Sequence, residues 1–150
     1  RFLHQPGDVT GALSPAVNDP GTAIDVIGRA VRVLSLWAAP GEPTEPRYRN
    51  VSLPALGEDD LLADVFGPIA RDGAGIVQVG IRLQKGLALL ARAGDGRLGK
   101  AALAQAELAA ARALAMLDFE PDRVEIQRQL AAMRDAASRG MQRMSGPAAG

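Results

Sequence analysis

The segment around Asp19 carries the residue types and spacing best suited to chemistry in this chain. Asp19 is a favoured helix N-cap, and Pro20 suits the first helical position because its missing N–H would have no helical partner there. The free N–H groups of such a helix start, with nearby polar side chains, can order a loop or bind a small anion. Capping alone also explains these residue types. The candidate ligand-binding residues are Ser14, Asn18, Asp19, Thr22 and Arg29.

Three aspartates, Asp59, Asp60 and Asp64, form a second group of interest. Asp60 and Asp64 are one helical turn apart and therefore share a face. Paired carboxylates can hold a hard cation or act as an acid and a base, so a carboxylate metal-dependent enzyme is one hypothesis. It requires further carboxylates that converge from another helix. The alternative is a solvated helix start, where the helix dipole favours negative charge.

The composition excludes several kinds of site. The chain has no Cys, which rules out thiolate chemistry, and a triad or a zinc site would depend on its single histidine, His4. Its 17 basic and 17 acidic residues give a formal net charge of zero. This balance argues against a nucleic-acid partner, because such binding needs a basic footprint. We therefore predict no enzyme activity, no bound metal and no cofactor.

The stretch from Gly94 to Lys100 fits the first part of a phosphate-binding loop, in which glycines precede a lysine. Ala101 stands where such a loop has a Ser or Thr to hold Mg²⁺. A predicted helix also precedes the stretch, whereas a phosphate-binding loop follows a strand. We therefore predict an ordinary turn between two helices here.

Hydrophobic periodicity and turn signals predict an all-α fold, a single five-helix bundle-like domain. Short links between consecutive helices favour antiparallel neighbours. At most one or two short strands are expected, around residues 47–53, where Tyr48, Val51 and Leu53 lie. The predicted helices span about residues 20–39, 58–71, 74–93, 97–117 and 121–140.

The same signals divide the chain into three parts. Residues 1–16 form an irregular lead-in, which we interpret as the remnant of an upstream β-rich region. Residues 17–140 form the helical domain. Residues 141–150 form a frayed tail, because the fifth helix is expected to end at Gly140.

Two of the helices have distinctive patterns. The first is apolar over most of its circumference, which is typical of a helix at the centre of a fold, and Asp25 and Arg29 are expected to pair on what remains exposed. The third is the cleanest amphipathic helix. Its apolar stripe contains Ile76, Val79, Leu83, Leu87 and Leu90, and its opposite side contains Gln78, Arg82, Lys85 and Arg92.

Residues 12–23 read A-L-S-P-A-V-N-D-P-G-T-A and continue into Ile24–Arg29. This motif resembles the soluble C-terminal part of a family of predicted bacterial multi-pass membrane proteins of unknown function (domain of unknown function 2254). The likeness returns more loosely from Phe66 to Arg71 and extends roughly from Gly11 to Leu117. The resemblance implies several transmembrane helices upstream of this chain, which contains no apolar run of the ~18 residues that a span needs.

One departure from the family pattern lies before this motif. In the family, a P-G-D-x-V element belongs to a small β-rich region and stands well ahead of the A-L-S-P motif. In this chain Pro6–Val9 is only a few residues from Ala12. We therefore predict that two separate stretches of the family sequence are joined between Val9 and Gly11.

Three hypotheses for function follow. The leading one is a non-enzymatic extramembrane helical domain with an assembly or sensing role, whose partner is a second copy or the protein's own transmembrane segment. The full-length protein is then membrane-associated through upstream helices, with this domain soluble and cytoplasmic. A second hypothesis is a small-ligand or ion-binding regulatory module at the Asn18-Asp19-Pro20 turn. The third is the metal-dependent enzyme built on Asp59, Asp60 and Asp64.

Overall fold

The structure is a computed structural model that describes residues 19–39, Gly41 and residues 56–145. Within these ranges it contains five α-helices, one 3₁₀ turn and no strand, so the predicted all-α, bundle-like fold is confirmed. The turn, Ala93–Gly96, joins two helices where the glycine-rich stretch predicts a turn. The helices are α1 (Pro20–Ala38), α2 (Glu58–Asp72), α3 (Val77–Arg92), α4 (Gly99–Met116) and α5 (Glu120–Ser145).

Several predictions concern residues outside the described ranges. These are the strands around residues 47–53, the irregular lead-in at residues 1–16, the junction between Val9 and Gly11, and the end of the tail. They stay predictions.

The centre of the bundle is α3, which packs against α1, α4 and α5. Four of the five residues in its predicted stripe are buried: Val79, Leu83, Leu87 and Leu90 are each at most 1% exposed. Ile76, the fifth, is half-buried and lies just before the helix. Its predicted polar side, which includes Arg82, is exposed. Burial of one such aliphatic side chain stabilises the fold by about 1.5–3 kcal/mol, so this stripe contributes much of the stability of the domain.

The edge of the bundle, rather than its centre, holds α1, the most hydrophobic of the five helices. It packs mainly on α3, through one buried face that includes Ile27 and Leu34. Its other side leaves Val26, Val33 and Leu36 exposed by 45%, 63% and 73%, and we call these three residues the uncovered face of α1. Within the described ranges α1 is therefore not the central helix that the sequence predicts, because its apolar circumference exceeds the surface that α3 offers to it.

The last helix continues past Gly140, where the sequence predicts its end, and runs to Ser145. Gly140 is buried, and a β-carbon there would collide with the carbonyl oxygen of Ala91 at the end of α3. A β-carbon at Gly96 would in turn collide with the backbone of Gly140, and Gly96 has a φ of 92°, which favours glycine. Gly140 therefore allows two backbones to approach closely and does not end the helix.

Candidate functional site

Asp19 caps α1 as the sequence predicts. Its carboxylate accepts hydrogen bonds from the backbone N–H groups of Gly21 (3.0 Å) and Thr22 (3.3 Å) and from the Thr22 hydroxyl (2.6 Å). The hydroxyl of Thr22, followed by the N–H of Gly21, holds the pKa of Asp19 below its ordinary value. Since this carboxylate already fills the helix start, an added anion would meet its negative charge. Ser14 and Asn18 lie outside the described residues.

Arg29, the remaining candidate residue, lies away from the capped turn. It follows Asp19 by ten residues, which is about 15 Å along the axis of α1. It lines a cavity of about 290 Å³ with Asp25, Arg32 and Arg82. The predicted ion pair between Asp25 and Arg29 is not formed, although both side chains border this cavity. The structure therefore places Arg29 away from Asp19 and close to Arg32 and Arg82.

A different cavity, of about 220 Å³, lies beside the capped turn between α1 and the end of α2. Ala23 and Val26 line it from α1, and Pro68 and Ile69 line it from α2, with Thr22 at its border. This lining, to which Asp72 and Gly73 also belong, suits an apolar group better than an anion, because an anion would lose its hydration there and meet the Asp72 carboxylate. The cavity is also smaller than the ~300–1,000 Å³ typical of ligand pockets.

Asp59 and Asp60 border a cavity of about 310 Å³ together with Gln105 of α4, and Asp64 does not line it. A carboxylate oxygen of Asp60 lies 3.1 Å from the position a β-carbon would take at Gly57, so Asp60 lies against the start of its own helix. The helix dipole favours a negative charge at that place. Across residues 19–39 and 56–145, no group of three or more potential metal ligands comes together. The converging carboxylates that the metal-enzyme hypothesis requires are thus not found in this part of the chain.

Two buried glutamines, Gln84 and Gln105, are missing from the sequence-based candidates. They are 1% and 5% exposed. The amide nitrogen of Gln84 donates a hydrogen bond to the carbonyl oxygen of Ala106 at 2.8 Å, which links α3 to α4. The Gln84 Oε1 and Gln105 Nε2 atoms have no hydrogen-bond partner among the described residues. Gln84 directly follows Leu83 of the apolar stripe, and this position is the one signal that indicates its burial.

Basic side chains from three helices come together on one side of the domain. They line three adjoining cavities of about 160, 290 and 440 Å³, and Arg82 lines all three. None of them forms an ion pair with another described residue. The sequence places Arg82 and Lys85 on one side of α3, but it does not show that α1 adds its arginines there. This basic face consists of Arg29, Arg32, Arg82, Lys85, Arg92 and Arg139.

Two glycines allow α1 and α3 to approach closely under the basic face. A β-carbon at Gly86 of α3 would lie only 2.9 Å from a methyl carbon of Val31 on α1. A β-carbon at Gly28 of α1 would lie 3.3 Å from a guanidinium nitrogen of Arg82. Gly28 belongs to the continuation of the motif noted in the sequence. The motif therefore supplies the glycine against which the Arg82 guanidinium packs.

These features define a small all-α domain with an uncovered apolar face and a basic face. Residues 10–89 match the profile of a family described as "Predicted membrane protein (DUF2254)", so the chain belongs to this family. The match includes α1, α2 and most of α3, and it confirms the resemblance carried by residues 12–23. No curated protein and no solved structure matches the chain significantly. None of the helices in the described ranges combines the length and hydrophobicity needed to cross a bilayer.

Proposed function

We propose that the helices form a non-enzymatic extramembrane domain of a membrane protein, and that the domain assembles with a second copy through the uncovered face of α1. The family supports the membrane context. The observation that carries the assembly role is the exposure of Val26, Val33 and Leu36 on the most hydrophobic helix of the bundle. The same face supports a sensing role if a signal changes the association.

The spacing of these side chains favours a helix-to-helix contact. Val26, Val33 and Leu36 follow one another at i, i+7 and i+10, so they lie along one side of α1 over about 15 Å, and the exposed Arg29 lies among them, three residues after Val26 and four before Val33. Single exposed hydrophobic residues are normal on a monomer, but a row of them on one helix is typical of an interaction surface. Complete burial of a fully exposed side chain of this kind contributes about 1.5–3 kcal/mol, and these three, which are 45–73% exposed, would each contribute a corresponding part of it. In a two-fold dimer the same face of each copy would cover the other.

The proposal includes a location. The family's upstream transmembrane helices would anchor the domain, and the domain would lie on the cytoplasmic side. Arginine supplies most of its 17 basic residues, and segments rich in Arg and Lys near membrane spans are retained in the cytoplasm. Association of the domains at the membrane surface would then bring the transmembrane parts of two copies together.

Light scattering of the 150-residue chain over a range of concentrations tests the assembly role. We expect a dimer that dissociates on dilution. The double substitution Val33→Glu and Leu36→Glu should give a monomer at every concentration, because it places two charges in the apolar contact.

The matched control is Met116→Glu with Val124→Glu. These side chains are exposed to a similar extent, 62% and 52%, but lie away from α1, so the control should associate like the wild type. A wild-type chain that is monomeric throughout would refute self-assembly of this domain. Equal loss of association in both double variants would refute the assignment to α1.

The regulatory-module hypothesis has one supporting observation, the cavity of about 220 Å³ beside Thr22 and Ala23. Its apolar lining favours an apolar ligand over an anion. A ligand held between α1 and the end of α2 would couple the capped turn to the rest of the bundle. This second candidate function takes precedence if the chain proves to be a monomer.

A further inference from the structure

The charges of the described domain are unevenly distributed, although the chain has a formal net charge of zero. The basic face collects six cations from α1, α3 and α5, and none of them has an ion-pair partner among the described residues. Other arginines account for the ion pairs that the described ranges contain. These arginines are Arg71, Arg97, Arg123, Arg128 and Arg134.

Among the described residues, three carboxylates adjoin the basic face, and they leave it with a positive excess. Asp25 borders the cavity of about 290 Å³, and Glu125 interacts electrostatically with Lys85. Asp135 lies one helical turn before Arg139 on α5. Glu125 is already engaged, because its two oxygens accept hydrogen bonds from Arg128 at 2.8 and 2.7 Å. Gln129 donates a further hydrogen bond to it at 2.7 Å. Six cations therefore face three carboxylates, one of which is held by another arginine.

The arrangement is a surface rather than a closed pocket. The cations are exposed and distributed over three open cavities that meet at Arg82. Leu89, which is 53% exposed, lies between Lys85 and Arg92 on α3 and borders two of these cavities. Spaced cations with an exposed aliphatic side chain among them suit an anionic bilayer surface, where phosphates attract the cations and the acyl boundary accepts the leucine.

We infer that the basic face binds the phosphate groups of anionic lipid headgroups and so holds the domain against the membrane surface. The membrane is the chosen source of phosphate because the chain belongs to a family of predicted membrane proteins. The formal net charge of the chain is zero, and these cations lie on one side of the domain. Only this face is therefore attracted to an anionic surface, and the attraction orients the domain. The inference goes beyond the assembly proposal, which depends on different side chains of α1, although Arg29 lies on the same side of this helix as Val26 and Val33.

Co-sedimentation of the full chain with lipid vesicles tests the inference. Vesicles of phosphatidylcholine mixed with phosphatidylserine are compared with vesicles of phosphatidylcholine alone. We expect binding to the mixed vesicles only, and weaker binding at higher salt. Arg82→Gln with Lys85→Gln should weaken binding about fivefold for each cation removed. Both side chains are exposed, so circular dichroism should show an unchanged fold and light scattering an unchanged oligomeric state.

The matched control is Arg71→Gln with Arg134→Gln, which removes the same charge from two exposed arginines outside the basic face. Because distant charges are screened, it should keep the wild-type affinity within a factor of about two. Equal binding to both kinds of vesicle, or an equal loss in test and control variants, would overturn the inference. Displacement by pyrophosphate at constant ionic strength would also overturn it, in favour of a site for a soluble anion.

Discussion

Leu87 on α3 and Leu36 on α1 are the same side chain in opposite surroundings. Leu87 is fully buried, whereas Leu36 is 73% exposed. Both lie on helices with an apolar side, but α3 has α1, α4 and α5 around it, and α1 rests mainly on α3. The apolar pattern of a helix therefore shows that it has a face to bury. The number of neighbours decides how much of that face is buried within one chain.

The largest expected effect comes from truncating these two leucines. Leu87→Ala should lower the free energy of unfolding by about 2–5 kcal/mol, because it leaves a cavity among packed helices. Leu36→Ala should change it by less than about 0.5 kcal/mol, since its side chain contacts mostly water. Urea denaturation followed by circular dichroism at low protein concentration measures both values. Similar losses for the two variants would break the comparison and would show that Leu36 is covered in solution.

A smaller effect is expected from Gly140→Ala, compared with Gly67→Ala. Both glycines lie inside helices, where alanine is favoured by up to about 1 kcal/mol. A β-carbon at Gly67 meets nothing within 4 Å, so that variant should be stabilised. At Gly140 it collides with the backbone of Ala91, and overpacking should cost about 1–3 kcal/mol. Thermal melts give the sign of each change, and a stabilised Gly140→Ala variant would contradict the close approach of α5 to the end of α3.

The smallest expected effect concerns the start of α1. Asp19→Ala should lower the melting temperature slightly at neutral pH, because it removes the acceptor for Gly21 and Thr22. The pKa of Asp19 is lowered from its ordinary 3.8, so its stabilisation is present above that pH and is lost as the pH falls through the lower folded-state value. The difference between wild type and variant should therefore shrink in acid. A difference independent of pH would show that the carboxylate is not the cap.

Local features of the fold follow directly from the sequence. The start of α1 at Asp19 and Pro20, the buried stripe of α3 and the turn before Gly99 all match the structure, because capping, periodicity and turn chemistry act between residues that are close along the chain. The position of α1 does not follow, since its apolar residues do not reveal how many helices will surround it. The prediction that α5 ends at Gly140 is wrong for a related reason. In a single sequence, a glycine that ends a helix cannot be distinguished from a glycine that lets two backbones approach closely.

Among the candidate sites, too, the local features could be predicted from the sequence and the features that depend on helix packing could not. The cap at Asp19 is local and was predictable, whereas Arg29 lies too far along α1 to join it. The basic face needs Arg82 to lie over Gly28, which depends on how α1 crosses α3. Hydrophobic periodicity predicts which side of each helix is polar, but it does not predict the angle at which two helices cross.

By itself, the sequence determined which segments are helical, where α1 begins and which side of α3 is apolar, because these properties depend on interactions within a few residues. It also carried the motif that marks the family. Only the tertiary structure decided that α1 lies at the edge, that Gly140 meets Ala91 and that cations from three helices share one face. Those outcomes depend on packing between residues far apart along the chain, where shape and available space select among many possible pairings of similar helices.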